Sequence, residues 1–108
     1  MDNEKLYLLY QFTVPTEFLK EVKAAFAEAL PLALQEPGCE AMYPTAVGGE
    51  PNKFVFFEIF SSDDAHAFHM EQSYAQKLFA ALDGKLAGPP VVTRLRALYG
   101  TTSPATHS

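Results

Sequence analysis

The chain has 108 residues, of which 48% are apolar and 19% charged, and its formal net charge is −5. This length and composition predict one folded domain. The Lys and Arg residues are scattered, so the sequence lacks the basic stripe that nucleic acid or an anionic membrane surface requires. No apolar run approaches the roughly 20 residues of a membrane span. A single Cys and a polar segment from Met1 to Lys5, unlike a signal peptide, predict a cytoplasmic protein.

The first two elements are a strand and a helix. Aromatic and aliphatic residues predict a strand from Leu6 to Val14. A helix then opens at Pro15-Thr16-Glu17, with Thr16 or its neighbour as the candidate N-cap. Pro31 should kink this helix or end its regular part, and Glu36-Pro37-Gly38 stops it.

A hairpin follows. One strand is predicted from Cys39 to about Val47, and Gly48 to Asn52 form a reversal. The next strand, from Lys53 to Phe60, is the clearest element in the sequence. The two strands are therefore predicted to pair antiparallel through a longer loop.

The last helix and strand complete one domain over residues 6–99. Ser61-Ser62-Asp63-Asp64 starts a helix, which breaks near Ser73 and resumes through Leu82. The last strand runs from Val91 to Leu98. Residues 1–5 and 100–108 are predicted to be tails, the second one disordered. The order β-α-β-β-α-β is the ferredoxin-like arrangement, an α+β fold in which two helices cover one face of a four-stranded antiparallel sheet.

Neither face of this sheet has the pattern of a solvent face, which would place polar residues at every second position. Alternation in the third strand puts Phe54, Phe56, Glu58 and Phe60 on one side and Val55, Phe57 and Ile59 on the other. The first strand likewise divides into Leu6, Leu8, Tyr10 and Phe12 against Tyr7, Leu9, Gln11 and Thr13. Exposing several such side chains forgoes roughly 1.5–3 kcal/mol each. We therefore expect a homodimer through the sheet face, with any remaining space between the subunits forming an apolar chamber.

Four segments, in this order, resemble the antibiotic biosynthesis monooxygenase family: Glu36-Pro37-Gly38-Cys39, Pro51 to Phe60, Asp64 to His69, and Gly88-Pro89-Pro90 with Leu95. The resemblance spans roughly Leu6 to Leu98. It implies a dimeric α+β barrel. Members of this family include cofactor-free monooxygenases of phenolic or quinol substrates, haem-degrading enzymes and an isomerase of the autoinducer-2 pathway.

The quinol-monooxygenase and isomerase branches are the nearest. The haem branch is similar to sequences with a Trp, a His late in the second helix and an Asn on the first strand, which are missing here. The nearer branches carry an acid on strand three, which corresponds to Glu58, and a His at the position of His69. They often have a second His where this chain has Tyr74.

Two residues are the catalytic candidates. His69 could take a proton from a phenol or an enolisable ketone near neutral pH; the alternative is a surface or helix-capping His bonded to backbone. Glu58 could be a pocket acid or base that orients His69, because a buried carboxylate needs a partner or a raised pKa. The alternative is an ion pair with Arg94 or Arg96 on the last strand, or one across the dimer.

Five aromatic residues are the candidates for substrate binding. Tyr10, Tyr43 and Tyr74 could donate hydrogen bonds to a substrate oxygen, and Phe12 and Phe56 could form apolar walls, although each could equally serve packing alone. No metal site is predicted, because the spacing of His66 and His69 is weak evidence for one. Cys39 is expected to be a buried structural thiol.

Together these features predict an enzyme without a cofactor, a monooxygenase that oxidises a small aromatic or quinol ligand with dioxygen. Two alternatives remain open. One is an acid–base isomerase of a small hydroxy-ketone, and the other is a non-catalytic dimeric domain that binds a ligand or serves a stress response.

Overall fold

The computed structural model describes residues 4–99. The elements, in chain order, are β1 Leu6–Thr13, α1 Leu19–Ala33, β2 Cys39–Val47, β3 Glu50–Phe60, α2 Asp63–Met70, α3 Ser73–Leu82 and β4 Val91–Leu95. A short 3-10 helix, Thr16–Phe18, precedes α1. The four strands form an antiparallel sheet in the order β2-β3-β1-β4, which confirms the predicted α+β arrangement.

The hairpin between β2 and β3 is tighter than predicted. β3 begins at Glu50 instead of Lys53, so the connection is Gly48-Gly49 and not a longer loop. Gly49 has a φ of 83°, a backbone conformation that is costly for residues with a Cβ. The two glycines therefore make the reversal, and Pro51 lies within the strand.

The connection between β1 and α1 also differs from the prediction. The Thr16 side chain does not cap a helix: its Oγ1 accepts a hydrogen bond from Asn52 Nδ2 at 3.1 Å. The same amide nitrogen donates to the Val14 carbonyl at 2.7 Å. Asn52 thus ties the start of β3 to the end of β1, and the N-cap prediction is wrong because Thr16 is used in this contact.

The second helical region breaks where the sequence indicates. α2 ends at Met70 and α3 begins at Ser73. The hydroxyl of Ser62 caps α2 by accepting a hydrogen bond from the Ala65 amide at 3.0 Å. At Gly38, a Cβ atom would collide with that of Ala65. The absence of a side chain at Gly38 therefore allows α2 to approach the turn that follows α1.

Two other predicted boundaries move by a few residues. α1 passes through Pro31 and ends two residues later at Ala33. β4 ends at Leu95, and Leu98 is 88% exposed, so the prediction of a strand to Leu98 is too long. The predicted disordered tail, 100–108, lies outside the described residues. Within residues 4–99, no helix is long and apolar enough to cross a membrane.

The two sheet faces differ in burial. On the helix-covered face, Leu6, Leu8 and Phe60 have no exposed surface. On the opposite face the rings of Tyr7 and Tyr43 both stack on Phe57, with centroid distances of 6.1 and 6.3 Å. Tyr43 is 56% exposed there. The predicted alternation is confirmed, and the second face of this chain presents aromatic rings to its surroundings.

Candidate active site

A cavity of about 820 Å³ lies between the helix-covered face of the sheet and the helices. The helices present small buried residues toward it, Ala29 and Ala33 on α1 and Ala75 on α3. Because these methyl groups do not fill the space above the sheet, a chamber remains inside one chain. The expectation that the chamber would lie between two subunits is therefore wrong for this cavity.

Most of the cavity wall is apolar, which would exclude water from a bound ligand. Phe12 and Phe56 are part of it as predicted, with their rings edge to face at 5.2 Å. Further apolar wall residues are Phe26, Met42, Leu78 and Leu82. Exposed residues at both sheet edges, Pro44 on β2 and Val92 on β4, also border the cavity.

His69 lies in the last turn of α2 and lines the cavity. It is buried, and its Nδ1 atom is 2.9 Å from Oε2 of Glu36. Its ring contacts those of Phe60 and Tyr74, with centroids 5.2 and 6.1 Å apart. The alternative of a surface or capping His is wrong, because the ring is buried and bonds a carboxylate instead of the backbone.

Glu36 is the functional candidate that the sequence reasoning missed. Its side chain is only 8% exposed, and its second oxygen, Oε1, is buried without a partner among the described residues. The turn after α1 places it: the Glu36 amide donates to the Ala33 carbonyl, and the Glu36 carbonyl accepts from the Cys39 amide. The sequence signal for this candidate is an acid directly before Pro37-Gly38, a segment that was predicted only to end the first helix.

Glu58 lines the cavity from near the end of β3. It has no hydrogen-bond or ion-pair partner within residues 4–99, and burial raises its pKa to about 7. The proposed ion pair with Arg94 or Arg96 of the same chain is wrong, because both guanidinium groups bind Asp63, at 3.2 and 2.9 Å. An ion pair across the dimer stays a prediction. The carboxylate that orients His69 is that of Glu36, so the predicted orienting role of Glu58 is also wrong.

Tyr10 and Tyr74 are both part of the cavity lining. Burial, and to a smaller extent the Glu58 carboxylate, raise the pKa of Tyr10, so it remains a protonated donor. The Tyr74 hydroxyl is buried and lacks a partner within the described chain. Tyr43 borders the cavity, but its ring stacks on Phe57 of the opposite sheet face.

Two other reactive side chains lie close to the site without lining the cavity. The His66 ring packs on Phe60 at 5.1 Å, and burial lowers its pKa. Cys39 is buried as predicted, and burial raises the pKa of its thiol to about 11. Within residues 4–99, no three His, Cys, Asp or Glu side chains are grouped to hold a metal ion.

The sequence profile described as antibiotic biosynthesis monooxygenase matches residues 6–81, which is more than half of the chain. The chain belongs to this family. Solved structures share its fold across nearly the whole length. One is a candidate antibiotic biosynthesis monooxygenase from Nitrosomonas europaea, with a TM-score of 0.85 and 19% identity, covering 94% of this chain and 98% of that one. Another candidate monooxygenase of the same description, from Caulobacter crescentus, has a TM-score of 0.82 and 23% identity, covering 90% and 92%. A search of curated proteins finds no match.

Proposed function

We propose that this protein is a cofactor-independent monooxygenase that oxidises a small aromatic or quinol substrate with dioxygen. The observation that carries the proposal is a buried His69, bonded to a buried carboxylate, in the wall of an apolar cavity. Family membership supports the reaction class, while the identity of the substrate class rests on the cavity and on the resemblance to quinol monooxygenases.

The Glu36–His69 contact gives the imidazole a defined role. A proton on Nδ1 donates to Glu36 Oε2, which leaves Nε2 with a lone pair for the substrate. A phenolic hydroxyl in the cavity would transfer its proton to Nε2, and the adjacent carboxylate would stabilise the imidazolium that forms. The apolar wall favours this step because electrostatic interactions are stronger where water is excluded.

The chemistry after deprotonation belongs to the substrate and dioxygen. The electron-rich phenolate gives electrons to dioxygen, and a carbon–oxygen bond forms at a ring carbon. For a quinol the balance is quinol plus dioxygen giving hydroxyquinone plus water: one oxygen atom enters the ring and the other leaves as water. The protein supplies the base, the orientation and hydrogen bonds from Tyr10 or Tyr74 to substrate oxygens.

The proposed assembly is a homodimer that covers the second face of the sheet. The stacked rings of Tyr7, Phe57 and Tyr43 support it, because a patch of this kind usually marks an association surface. We propose that the dimer works in the cytoplasm, where a reducing environment suits the single thiol of Cys39.

One observation favours an acid–base isomerase as the second candidate. Glu58 and His69 line the same cavity, and the raised pKa of Glu58, about 7, leaves part of this carboxyl protonated at neutral pH. An acid and a base on one small hydroxy-ketone could move a proton from one carbon to its neighbour through an enediol. This reaction consumes no oxygen.

Oxygen uptake tests the proposal. Purified protein is mixed with a panel of small quinols and phenols in an oxygen-electrode cell, and products are identified by mass spectrometry after labelling with ¹⁸O₂. We expect uptake of one dioxygen for each quinol and one labelled oxygen in the product. His69→Asn, which keeps a donor toward Glu36 but has no basic nitrogen, should lower the rate by about 10²- to 10⁴-fold.

His66→Ala is the matched control, because His66 lies on the same helix but does not line the cavity. It should retain most of the activity. Turnover of a hydroxy-ketone under nitrogen would instead support the isomerase. Ligand binding with neither reaction, and unchanged by His69→Asn, would support the non-catalytic binding domain.

A further inference from the structure

We infer that Glu58 determines specificity: it selects ligands that present a hydrogen-bond donor to the cavity and rejects ligands that carry a negative charge. The inference rests on the proposed function, since it concerns the substrate of the same cavity. Its basis is a cavity-lining carboxylate that has no partner among residues 4–99, in a cavity that no Lys or Arg of this described part lines.

The residues paired with Glu58 in the sheet are apolar. Its register partners are Leu8 on β1 and Met42 on β2. Along its own strand, Phe56 and Phe60 are the nearest residues on the same face, and both are buried. The carboxylate therefore projects from an apolar surface, and its hydrogen-bonding capacity is left for a ligand.

The cations that could neutralise Glu58 are used elsewhere. Arg94 lies on the same sheet face, across Leu8, but its guanidinium contacts Asp63 at 3.2 Å and its side chain is about half exposed. Arg96 contacts both carboxylate oxygens of Asp63 at 2.9 Å. No Lys or Arg within residues 4–99 lines the cavity, and Asp83 adds a second acid to its lining.

This arrangement disfavours an anionic ligand. Two like charges in a partly dehydrated space repel more strongly than in water, whereas a neutral hydroxyl can donate a charge-assisted hydrogen bond to the carboxylate. At pH 8 Glu58 is largely ionised, because burial raises its pKa only to about 7. Cys39 and Tyr10 add no charge of their own, because burial keeps both protonated and neutral. His69, the remaining basic group in the lining, is already bonded to the Glu36 carboxylate.

A matched pair of ligands tests the inference without turnover. Binding of 1,4-dihydroxybenzene and of 2,5-dihydroxybenzoate, which differ by one carboxylate, is measured by calorimetry at pH 8 under nitrogen. We expect the wild-type protein to bind the neutral quinol at least about tenfold more tightly than the anion. Glu58→Gln should reduce this preference to a few-fold, mainly by improving the affinity for the benzoate.

Glu50→Gln is the control, since it removes the same charge from the same strand at an exposed position outside the cavity lining. It should leave the preference unchanged. Equal affinity of the wild-type protein for the two ligands, tighter binding of the benzoate, or a preference that Glu58→Gln does not alter would overturn the inference. Selective binding without oxygen uptake in air would instead contradict the proposed function alone.

Discussion

Oε2 of Glu36 lies 2.9 Å from Nδ1 of His69, although the two residues are 33 positions apart in the chain. One comes from the turn after α1 and the other from the last turn of α2. Both side chains are at most 10% exposed. Because Nδ1 of this buried imidazole is bonded to the carboxylate, Nε2 is the nitrogen that can act as a base.

Replacement of Glu36 by Gln should change the proton position on His69. Without the carboxylate, the tautomer with the proton on Nε2 becomes accessible, and that tautomer cannot accept a phenolic proton. We expect kcat for quinol oxidation to fall by about 100-fold while KM changes little. ¹⁵N NMR of the His69 ring measures the tautomer directly. The control is Glu40→Gln, which removes a charge at an exposed position and should change neither kcat nor the His69 tautomer. An unchanged ring spectrum in Glu36→Gln would contradict the positioning role of Glu36.

Glu58 should make folding stability depend on pH. Burial raises its pKa from 4.5 to about 7 in the folded chain, so the folded state holds this proton more tightly than the unfolded state. Protonated Glu58 therefore contributes to the free energy of unfolding in full below about pH 4.5. This contribution, up to about 3 kcal/mol, is lost as the pH rises through 7. Glu58→Gln should raise the Tm at pH 8 by roughly 5 °C or more and change it little at pH 4. Thermal unfolding followed by circular dichroism at both pH values measures this difference. An equal change in Tm at pH 4 and pH 8 would contradict the burial of an ionised group.

Tyr74→Phe should affect ligand binding more than folding. Its hydroxyl is buried without a partner in the described chain, so removal costs no protein hydrogen bond. If it donates to the substrate, KM for a quinol should increase by roughly 3- to 10-fold, with Tm unchanged or slightly higher. Tyr7→Phe, on the opposite sheet face, is the control. A lower Tm with unchanged KM would show that the hydroxyl serves the fold instead.

Phe57→Lys should separate the proposed dimer. It places a charge between the rings of Tyr7 and Tyr43 on the face away from the helices. Sedimentation at micromolar concentration should show dimers for the wild-type chain and monomers for this variant. Ala27→Lys, on an exposed position of α1, should remain dimeric. Because the cavity lies within one chain, the Phe57→Lys monomer should still bind the quinol; single chains in the wild-type sample would refute the dimer.

The sequence predicted the parts of this fold that follow from local chemistry. Alternation placed Tyr10 with Phe12 on one face of β1 and Glu58 with Phe56 on one face of β3, and all four residues line one cavity. The tight Gly48-Gly49 turn was missed because Asn52 and Pro51 also resemble turn residues, although Asn52 bonds to Val14.

The cavity position and the partner of His69 could not be predicted in this way. The space above the sheet depends on which alanines of α1 and α3 face inward, and this is known only once the helices are docked. The Glu36–His69 contact likewise requires the end of α1 to meet α2. Glu58 was assigned to His69 because the resemblance placed both residues in one site, yet packing gave that position to Glu36.

The absence of a side chain at Gly38 affects the position of Glu36 relative to His69. The turn that carries Glu36 rests directly against Ala65 of the helix that carries His69. The distance between the Glu36 carboxylate and the His69 ring therefore depends on this contact, together with the packing of the ring on Phe60 of the sheet. A side chain at position 38 would push the two segments apart and should lengthen the Glu36–His69 contact.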